Sequence, residues 1–447
     1  MERLSTKRPP QNERCFVSEA VEAKIEEVVA FIDDQELAWL FSNCYPNTLD
    51  TTVSYQEKNG EAESYVITGD IDAMWLRDST AQVWPYLPLL KEDPKLKKMI
   101  KGLIKRQVEF VLRDPYANAF YKDSKQKSPF AADKPQPKPG VHERKWEIDS
   151  LCAVVRLITG YTQSVEDKSI FTEKLDQAMR LIYKTLKTEQ RKNDESDYYF
   201  VRQTTEMIEA ATFKGTGRPT KKVGLIHSAF RPSDDATLFP YLIPSNLFAV
   251  SVLKKLAKLY NSEFADQKFA AKCSQLAAEV EAAVEKYGVF EHLDYGPIYA
   301  YEVDGFGNRV FMDDANVPSL ISLNYLGIAK ADDQIYQNTR RFLLSSDNPF
   351  FIQGQAAVGQ GSPHSGKENI WPMGIILRAL TSTEPQEIIS CLKLLKSTHA
   401  GTGLMHESFN KDNPANFTRA WFAWANTLFG ELILKIYQEN KELLNQL

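Results

Sequence analysis

The sequence predicts an all-α protein, an (α/α)6 toroid of six helical hairpins with minor β-hairpin insertions. Two observations predict it: six amphipathic segments are spread along the chain, and they alternate with six segments that are apolar on nearly all sides. A helix with one apolar stripe lies at a surface, whereas a helix that is apolar all round is buried. An inner ring of buried helices inside an outer amphipathic ring would hide every apolar face. We therefore predict a single domain that covers residues 1–447.

The two kinds of segment differ in the spacing of their apolar residues. The amphipathic segments have Lys and Glu between apolar residues at three- and four-residue intervals, and they are residues 21–32, 96–112, 171–186, 269–284, 335–344 and 387–395. The buried segments are rich in aromatic residues, and they are residues 81–90, 151–161, 236–259, 317–326, 370–380 and 420–436. A polar or acidic cluster introduces each buried segment, as residues 145–149 do for the second. The toroid would gather these clusters in the loops at one end.

Three segments depart from the helical pattern. Residues 295–311 alternate aromatic residues with Gly, which predicts a hairpin that turns on Asp304-Gly305. A second short strand pair is predicted at residues 62–67. Residues 122–140 are rich in Pro and Lys and predict a loop, which we place on the rim of the site.

Composition excludes several classes of function. The 447 residues carry a net charge of −5, so the basic excess that nucleic-acid binding requires is missing. No run of about 18 apolar residues occurs, which argues against a membrane-spanning chain. The five cysteines are widely spaced without a CxxC pair, and this favours reduced thiols over a disulfide framework. We expect a monomer in the cytoplasm, or in the periplasm if a leader has been removed.

Carbohydrate chemistry is the first functional candidate, because carboxylates and aromatic rings occur in the same loops. Carboxylate and Arg side chains hydrogen-bond sugar hydroxyls, and aromatic rings pack against the C–H faces of a pyranose. Trp75, Arg77 and Asp78 supply all three groups within four residues. A helix N-cap at Asp78 and a core position for Trp75 explain each residue alone about equally well. The recurrence of the combination in several loops favours a sugar site.

Hydrolysis of a glycoside with inversion requires a carboxylic acid at the leaving oxygen and a carboxylate that activates water, about 6.5–9.5 Å apart. Asp234 and Asp235 are candidates for the acid, because repulsion between adjacent carboxylates raises the pKa of one of them. Arg231 and a helix N-terminus oppose that shift. Glu407 lies in a Gly-rich loop, too far before the next helix to cap it. We expect Glu407 to be the base.

Three further polar positions allow a structural as well as a functional interpretation. Asp313-Asp314 opens the buried segment at residues 317–326, so capping of a helix is favoured over catalysis. Asn316 could bind a sugar hydroxyl. His227 could orient a loop or contact the ligand, and a structural histidine explains it at least as well.

Two nucleotide-binding motifs match only in part. Asp70-Ile71-Asp72 fits the D-x-D pattern by which nucleotide-sugar transferases hold a metal, but the alternation of strands and helices of their nucleotide-binding domains is missing. The segment 361–367 resembles a Walker A loop, but Glu368 replaces the Ser or Thr that binds Mg²⁺, and no strand is predicted before it. A Cys/His metal-ligand spacing is also missing. We therefore predict an acid/base mechanism with no metal and no cofactor.

Four sequence blocks together resemble glycoside hydrolase family 125. The blocks are GDIDAMWLRDS at 69–79, HSAFRPSDDA at 227–236, FMDDANVPSL at 311–320 and MHESF at 405–409, with Trp421 and Trp424 after the last. The resemblance extends from about residue 69 to residue 434. It implies an (α/α)6 barrel and a metal-independent, exo-acting enzyme that releases α-1,6-linked mannose from the non-reducing end with inversion. The implied substrates are α-mannosides and oligosaccharides derived from N-glycans.

Residue roles follow from the resemblance by motif position. Asp234 is implied as the general acid and Glu407 as the general base, and the choice of Asp234 over Asp235 rests on the resemblance alone. The residues implied to contact the terminal mannose are Arg77, Asp78, Asn316 and His406, with Trp75, Arg231, Asp235 and Trp371 as further lining.

Two other functions fit the same residues. One is a different (α/α)6 glycosidase or a phosphorylase, in which phosphate replaces the attacking water and the base becomes redundant. The other is a non-catalytic glycan-binding protein that uses the same Trp, Arg and Asp side chains. Two separately placed carboxylates favour an enzyme over a lectin.

Overall fold

The computed structural model describes residues 4–447, which divide into two compact units. Unit 1 comprises the chain up to Met74 together with Asp78–Arg106 and Phe351–Leu447. Unit 2 comprises Trp75–Arg77 and Gln107–Phe350. Asp234 therefore belongs to unit 2 and Glu407 to unit 1.

The described chain is rich in α-helix. In chain order the helices are α1 Glu19–Phe31, α2 Gln35–Cys44, α3 Asn47–Thr51, α4 Leu76–Val83, α5 Pro94–Arg113, α6 Ile148–Ser164, α7 Glu173–Thr188, α8 Ile243–Ser262, α9 Gln267–Tyr287, α10 Gln334–Leu343, α11 Pro372–Leu380, α12 Pro385–Thr398 and α13 Ala423–Asn440. In unit 2, α8 packs against both α6 and α9. In unit 1, α13 packs against α2, α3 and α11.

Short strands form small antiparallel sheets between the helices. The strands are β1 Val53–Lys58, β2 Glu61–Val66, β3 Met74–Trp75, β4 Ala119–Phe120, β5 Val141–Glu143, β6 Tyr241–Leu242, β7 Val289–His292, β8 Gly296–Tyr299, β9 Glu302–Val303, β10 Arg309–Val310, β11 Phe351–Gln353, β12 Val358–Ser362, β13 Gly366–Ile370, β14 Ser408–Asn410 and β15 Phe417–Thr418. Unit 1 holds the pair β1–β2 and a five-stranded sheet in the order β11-β12-β13-β14-β15. Unit 2 holds β10-β9-β6, β7–β8 and the pair β4–β5.

The helices are of the two kinds that the sequence predicts. Helix α6 is buried at every position from residue 148 to residue 161, as expected of a helix that is apolar all round. Helix α7 buries Leu175, Ala178, Met179 and Ile182 at three- and four-residue intervals and exposes its other face. All six predicted amphipathic segments are confirmed as helices, namely α1, α5, α7, α9, α10 and α12.

The predicted buried segments are confirmed in part. Four of them correspond to α6, α8, α11 and α13. Helix α8 begins only at Ile243, because Pro240 and the strand β6 precede it. Helix α4 stops at Val83 and continues as a 3-10 helix, Trp84–Leu89, whose Pro85 and Pro88 have no N–H to donate to an α-helix.

The prediction of a helix at residues 317–326 is wrong. The structure has only the 3-10 turn Ile321–Leu323 there. Pro318 has no N–H group, and the Asp313 carboxylate accepts hydrogen bonds from Leu320 N at 2.8 Å and from the next backbone N–H at 2.9 Å. Such side-chain bonds offer the backbone an alternative to a helix. Asp313 thus has the capping role that the sequence favours, on a turn rather than on a helix.

Two further helices were not predicted. Helix α2 begins after Asp34, whose carboxylate caps Leu37 N at 2.9 Å, and it buries Leu40, Phe41 and Cys44. Its ten residues are too few for a clear period. The short helix α3 follows it directly.

The hairpin predicted at residues 295–311 is present, and the strand pair predicted at residues 62–67 is confirmed in part. Those residues supply only one strand, β2, whose partner β1 lies before them and pairs in register from Val53–Val66 to Lys58–Glu61. Strands β9 and β10 turn at Asp304-Gly305, where Gly305 adopts a φ of +77° and Asp304 accepts a hydrogen bond from Phe306 N. A second hairpin, β7–β8, lies just before this one.

The five-stranded sheet was not predicted, and it corrects one argument about the segment 361–367. A strand, β12, does lead into this segment, contrary to the prediction. The strand that follows is β13, whereas a Walker A loop leads into a helix. The segment is therefore a β-hairpin connection. It is still rejected as a nucleotide site, because a strand rather than a helix follows it.

The five cysteines are free thiols, and all except Cys15 are buried. Between residues 4 and 447, no helix combines the length and the apolar character needed to cross a bilayer.

Candidate active site

Asp234 lies in a tight turn of unit 2. The backbone N–H of Arg231 donates to the carbonyl of Asp235 at 2.7 Å, and Asp234 N donates back to the Arg231 carbonyl at 2.9 Å. This closure gives Asp234 a φ of +67°, a conformation that is unfavourable for a residue with a Cβ. Strained backbone of this kind occurs often at functional sites.

The carboxyl group of Asp234 receives donors from two other segments of unit 2. Its Oδ1 accepts hydrogen bonds from Asn118 Nδ2 at 3.0 Å and from Trp75 Nε1 at 3.3 Å. The Arg77 guanidinium lies 3.8 Å from the same oxygen. The indole of Trp75 packs edge-on against His142. Because the Asp234 side chain is 25% exposed, it can still meet a ligand from solvent.

Arg77 pairs with two carboxyl groups that are completely buried. Its Nη1 lies 2.5 Å from Glu147 Oε2 and 3.0 Å from Asp149 Oδ2. Burial raises the pKa of both groups above the usual range, and Arg77 opposes this rise. The charge of Asp234 and a hydrogen bond with it raise the pKa of Glu147 further. Arg77 therefore offsets only part of the effect of burial on the pKa of these two carboxyls.

Asn118 links these carboxyl groups. Its Nδ2 lies 3.0 Å from Asp234 Oδ1, 3.2 Å from Glu143 Oε2 and 3.3 Å from Glu147 Oε1. Its Oδ1 accepts a hydrogen bond from Lys145 N, which fixes the orientation of the amide. Burial by itself lowers the pKa of Lys145, but the charges of Glu143 and Asp234 raise it above the usual range. Lys145 is therefore a buried cation of the same cluster.

A second polar cluster in unit 2 contains Arg231 and Asn316. Arg231 Nε lies 2.6 Å from Glu302 Oε1, and the guanidinium stacks over the ring of Tyr301. Asn316 Nδ2 donates to Asp314 Oδ1 at 3.0 Å. Both predicted sugar-binding residues are thus buried and held by carboxylates.

Glu407 lies in unit 1, one residue before β14. Its Oε2 accepts a hydrogen bond from Thr418 Oγ1 at 3.0 Å, which the pairing of β14 with β15 brings into reach. Its Oε1 accepts one from Arg419 Nη1 at 3.2 Å. Asp70 holds the other side of that guanidinium, at 2.6 Å from Nη2. Asp70, the first residue of the D-x-D pattern, therefore forms an ion pair with Arg419.

His406 and Trp371 are buried in unit 1 beside two paired strands, with His406 two residues before β14 and Trp371 directly after β13. The imidazole of His406 stacks on Phe417 with the ring centroids 3.7 Å apart and the planes within 4°. Burial lowers the pKa of His406 to about 4, so the ring is neutral at pH 7. Trp371 follows β13 directly, and its Nε1 donates to Ser365 Oγ at 2.7 Å.

The remaining predicted residues are buried. Asp78 lies in α4 in unit 1, and Asp235 is 0% exposed in unit 2. His227 is buried with Nε2 at 2.7 Å from Thr220 Oγ1, and its backbone carbonyl accepts a hydrogen bond from Trp146 Nε1. These contacts favour the structural interpretation of His227.

Sequence reasoning missed several residues around the two carboxylates. Glu147 was visible in the polar cluster at residues 145–149, but nothing in the sequence relates that cluster to Asp234. Asn118 is an isolated polar residue in an unremarkable segment. Arg419 was overlooked as well, and in the structure its backbone has a left-handed φ of +40°.

Similarity to known proteins covers nearly the whole chain. A family described as metal-independent alpha-mannosidase (GH125) matches residues 34–434. The Meiotically up-regulated gene 157 protein of Schizosaccharomyces pombe is 42% identical over 464 residues, which cover 99% of this chain and 91% of that protein. A metal-independent α-mannosidase of Streptococcus pneumoniae, solved in a non-productive complex with α-1,6-mannobiose, is 40% identical with a TM-score of 0.91. That match covers 95% of this chain and 100% of the other.

More distant structures share the fold alone. A bacterial glucoamylase in complex with acarbose is 12% identical with a TM-score of 0.53, over 96% of this chain and 58% of the glucoamylase. Both this structural likeness and the helices described above are compatible with the matched family. From the extent of the family match and the identity of its relatives, the chain belongs to glycoside hydrolase family 125, the metal-independent α-mannosidases.

Proposed function

We propose that this α-mannosidase releases α-1,6-linked mannose from the non-reducing end of its substrate with inversion of configuration. The observation that carries the proposal is the carboxyl of Asp234, which is partly open to solvent and anchored by Trp75 and Asn118. The Streptococcus pneumoniae relative binds α-1,6-mannobiose, and its 40% identity to this chain supports the same linkage here. Oligosaccharides derived from N-glycans are the proposed natural substrates.

Asp234 is proposed as the general acid. It donates its proton to the glycosidic oxygen while the bond from that oxygen to the anomeric carbon breaks. The exposures of the two adjacent carboxyls support Asp234 over Asp235, because Asp234 is 25% exposed at its side chain and Asp235 is completely buried. The partly exposed carboxyl is the better placed of the two to meet a substrate oxygen.

Glu407 is proposed as the general base. It takes a proton from the water whose oxygen attacks the anomeric carbon. Thr418 and Arg419 donate to its two oxygens, so the carboxylate is fixed in orientation before the substrate arrives. The sugar-binding roles of Trp75, Arg77, Asp78, Arg231, Asp235, Asn316, Trp371 and His406 stay predictions.

We also propose that the chain forms one (α/α)6 catalytic domain. The alternation of buried and amphipathic helices supports a double ring of helices. The likeness to a glucoamylase over 96% of this chain supports the same arrangement.

A release assay on the α-1,2-, α-1,3- and α-1,6-linked mannobioses tests the linkage. We expect mannose release from the α-1,6 isomer alone, in phosphate-free buffer. Equal release from all three isomers would contradict the proposed specificity, and a requirement for phosphate would indicate a phosphorylase.

The role of Asp234 is tested by the leaving group. Asp234→Asn should lose activity on α-1,6-mannobiose by about 10²- to 10⁴-fold, the usual contribution of general acid catalysis. It should retain most activity on 2,4-dinitrophenyl α-mannoside, whose leaving group needs no proton. Glu407→Gln is the matched control, and it should lose activity on both substrates. An equal loss on both substrates in Asp234→Asn would refute the acid assignment.

A further inference from the structure

The buried carboxyl of Glu147 shares its neighbours with Asp234. Asn118 Nδ2 lies 3.3 Å from Glu147 Oε1 and 3.0 Å from Asp234 Oδ1. The two arms of the Arg77 guanidinium divide in the same way, with Nη1 2.5 Å from Glu147 and Nη2 3.8 Å from Asp234. The exposures differ, since Glu147 is 0% exposed and the Asp234 side chain is 25% exposed. One carboxyl can meet a substrate, and the other cannot.

A helix cap does not explain this position of Glu147. The residue occupies the N-cap position of α6, but its side chain accepts no hydrogen bond from the first turn of the backbone. Its Oε2 accepts instead from Arg77 and from the hydroxyl of Ser150, and its Oε1 faces Asn118. Placing a carboxyl at 0% exposure is costly unless it is paired or neutral. The position of Glu147 therefore indicates a role other than capping the helix.

The charges around Arg77 do not balance if every carboxyl is ionised. Glu147, Asp149 and Asp234 all lie within 4 Å of this one guanidinium. Like charges so close together disfavour ionisation, so one of the carboxyls holds a proton more readily. Burial, followed by the charge of Asp234 and a hydrogen bond with it, raises the pKa of Glu147, while Arg77 lowers it. The crowding of these carboxyls around one guanidinium favours a state in which Glu147 and Asp234 together hold one proton.

We propose that Glu147 is a positioning residue for the acid, and that it holds a shared proton on the Asp234 carboxyl until the glycosidic bond breaks. The proposal rests on the proposed role of Asp234. In the reaction the proton passes from Asp234 to the glycosidic oxygen, which also keeps the electron pair of the broken bond. The attacking water gives its oxygen to the anomeric carbon and one proton to Glu407. Solvent then returns a proton to Asp234 and takes one from Glu407.

Other charged groups also face the pair. The cations are Arg77 and Lys145, and the anions are Glu143, Asp149 and Glu209. The cations favour the ionised form of Asp234, whereas the negative charge of Glu147 disfavours it. Without the Glu147 charge, the cations should stabilise the ionised form of Asp234 more strongly. The alkaline limb of the pH–rate profile should therefore move to lower pH.

Asp149 provides a matched control. It is buried to the same extent as Glu147 and bonds to the same nitrogen of Arg77, but its other side-chain oxygen accepts a hydrogen bond from Ser245 rather than from Asn118. Glu147→Gln and Asp149→Asn thus remove one carboxyl each from Arg77. Only Glu147→Gln removes the one that also shares Asn118 with Asp234.

The test compares pH–rate profiles on α-1,6-mannobiose and on 2,4-dinitrophenyl α-mannoside. We expect Glu147→Gln to move the alkaline limb on mannobiose to lower pH by about one unit. One neighbouring charge shifts the pKa of a carboxyl by roughly that amount or more. On the mannobiose, kcat near pH 7 should fall about 10-fold. The dinitrophenyl substrate should keep its rate and profile, because it needs no acid. Asp149→Asn should show no such selectivity for the leaving group.

An unmoved alkaline limb in Glu147→Gln, or equal changes on the two substrates, would overturn the proposal. If Glu147→Gln does not fold, Glu147→Asp serves instead, since it keeps a charge for Arg77 but withdraws the carboxyl from Asn118. It should shift the limb in the same direction by less, and an unshifted limb would again overturn the proposal. If Asp234→Asn shows the expected selectivity and the Glu147 variants do not, only the role of Glu147 fails. If Asp234→Asn lacks the selectivity, the acid assignment fails first.

Discussion

Asp234 and Glu407 are carboxylates with different surroundings. Asp234 accepts from an amide and an indole and lies among other carboxyls that are fully buried. Glu407 accepts from a hydroxyl and a guanidinium. Asp234 is thus anchored while its side chain stays partly exposed, and Glu407 is held in a fixed orientation by its two donors. Each environment suits the role proposed for its residue.

Arg419 should be needed to orient the base. Arg419→Ala removes the guanidinium that donates to Glu407 beside the Thr418 hydroxyl, and it leaves Asp70 without its ion-pair partner. We expect kcat to fall roughly 10- to 100-fold, because small losses of positioning cost about that much in rate. The loss should be equal on α-1,6-mannobiose and on the dinitrophenyl mannoside, since the base acts on water in both reactions.

Arg378→Ala is the control for that measurement. Arg378 forms an ion pair of similar kind in unit 1, at 2.7 Å from Glu387, away from the Glu407 loop in sequence. Its loss should leave kcat within about two-fold, as most substitutions away from a site do. A loss in Arg419→Ala no larger than this would contradict the positioning role.

His406 should make the protein sensitive to acid. Because burial lowers the pKa of His406 to about 4, the folded protein keeps the ring neutral while the unfolded chain takes up a proton below about 6.5. The stability that this group contributes is present above pH 6.5 and is lost as the pH falls towards 4. His406→Gln should therefore show a smaller drop in thermal midpoint between about pH 7 and pH 5 than the wild type.

His292→Gln is the comparison variant, because His292 lies half-buried on β7 rather than stacked in the interior. It should retain the acid sensitivity of the wild type. An unchanged sensitivity in His406→Gln would show that other groups cause the drop.

The sequence predicted which loops carry the candidate site, but it did not predict the hydrogen bonds and ion pairs that connect them. Asp234, Trp75 and Arg77 occur in recognisable blocks, and the structure brings these three together. Glu147 and Asn118 reach the same place from separate segments, and no spacing in the sequence indicates such a meeting. Arg419 could have been suspected from its position beside Thr418, but its partner Asp70 lies 349 residues away.

At the scale of elements, side-chain caps fix where the helices begin. Asp333 accepts a hydrogen bond from Tyr336 N at 2.8 Å at the start of α10. Asp333→Ala should destabilise the protein by about 1 kcal/mol, the usual cost of losing such a cap. Chemical denaturation measures this loss, and Asp332→Ala, a change at the exposed neighbour, should leave stability within about 0.5 kcal/mol. Equal effects of the two substitutions would contradict the cap.

The elements that could be predicted are those with a long, regular period. Helices α5, α7 and α9 extend over 20, 16 and 21 residues, and their apolar stripes are easily recognised. The predicted helix at residues 317–326 is apolar enough, but Pro318 and the Asp313 carboxylate divert its backbone. The sheet β11–β15 consists of strands of two to five residues, which are too short to show an alternation.

At the scale of the whole molecule, the family match covers residues 34–434, which include parts of both units. Asp234 lies in unit 2 and Glu407 in unit 1. The formal net charge of −5, which argued against nucleic acid, counts every carboxyl as ionised, including the buried ones around Asp234. Of these groups, the proposed mechanism uses Asp234 and its buried neighbour Glu147.

Release of α-1,6-linked mannose with inversion is the activity proposed for this chain. The most direct measurement follows α-1,6-mannobiose by proton NMR from the first seconds of hydrolysis and identifies the anomer of the mannose released from the non-reducing end. With inversion, β-mannose appears first and then mutarotates to the equilibrium mixture. α-Mannose as the first product would contradict it, because retention requires a carboxylate that attacks the sugar rather than a base that activates water.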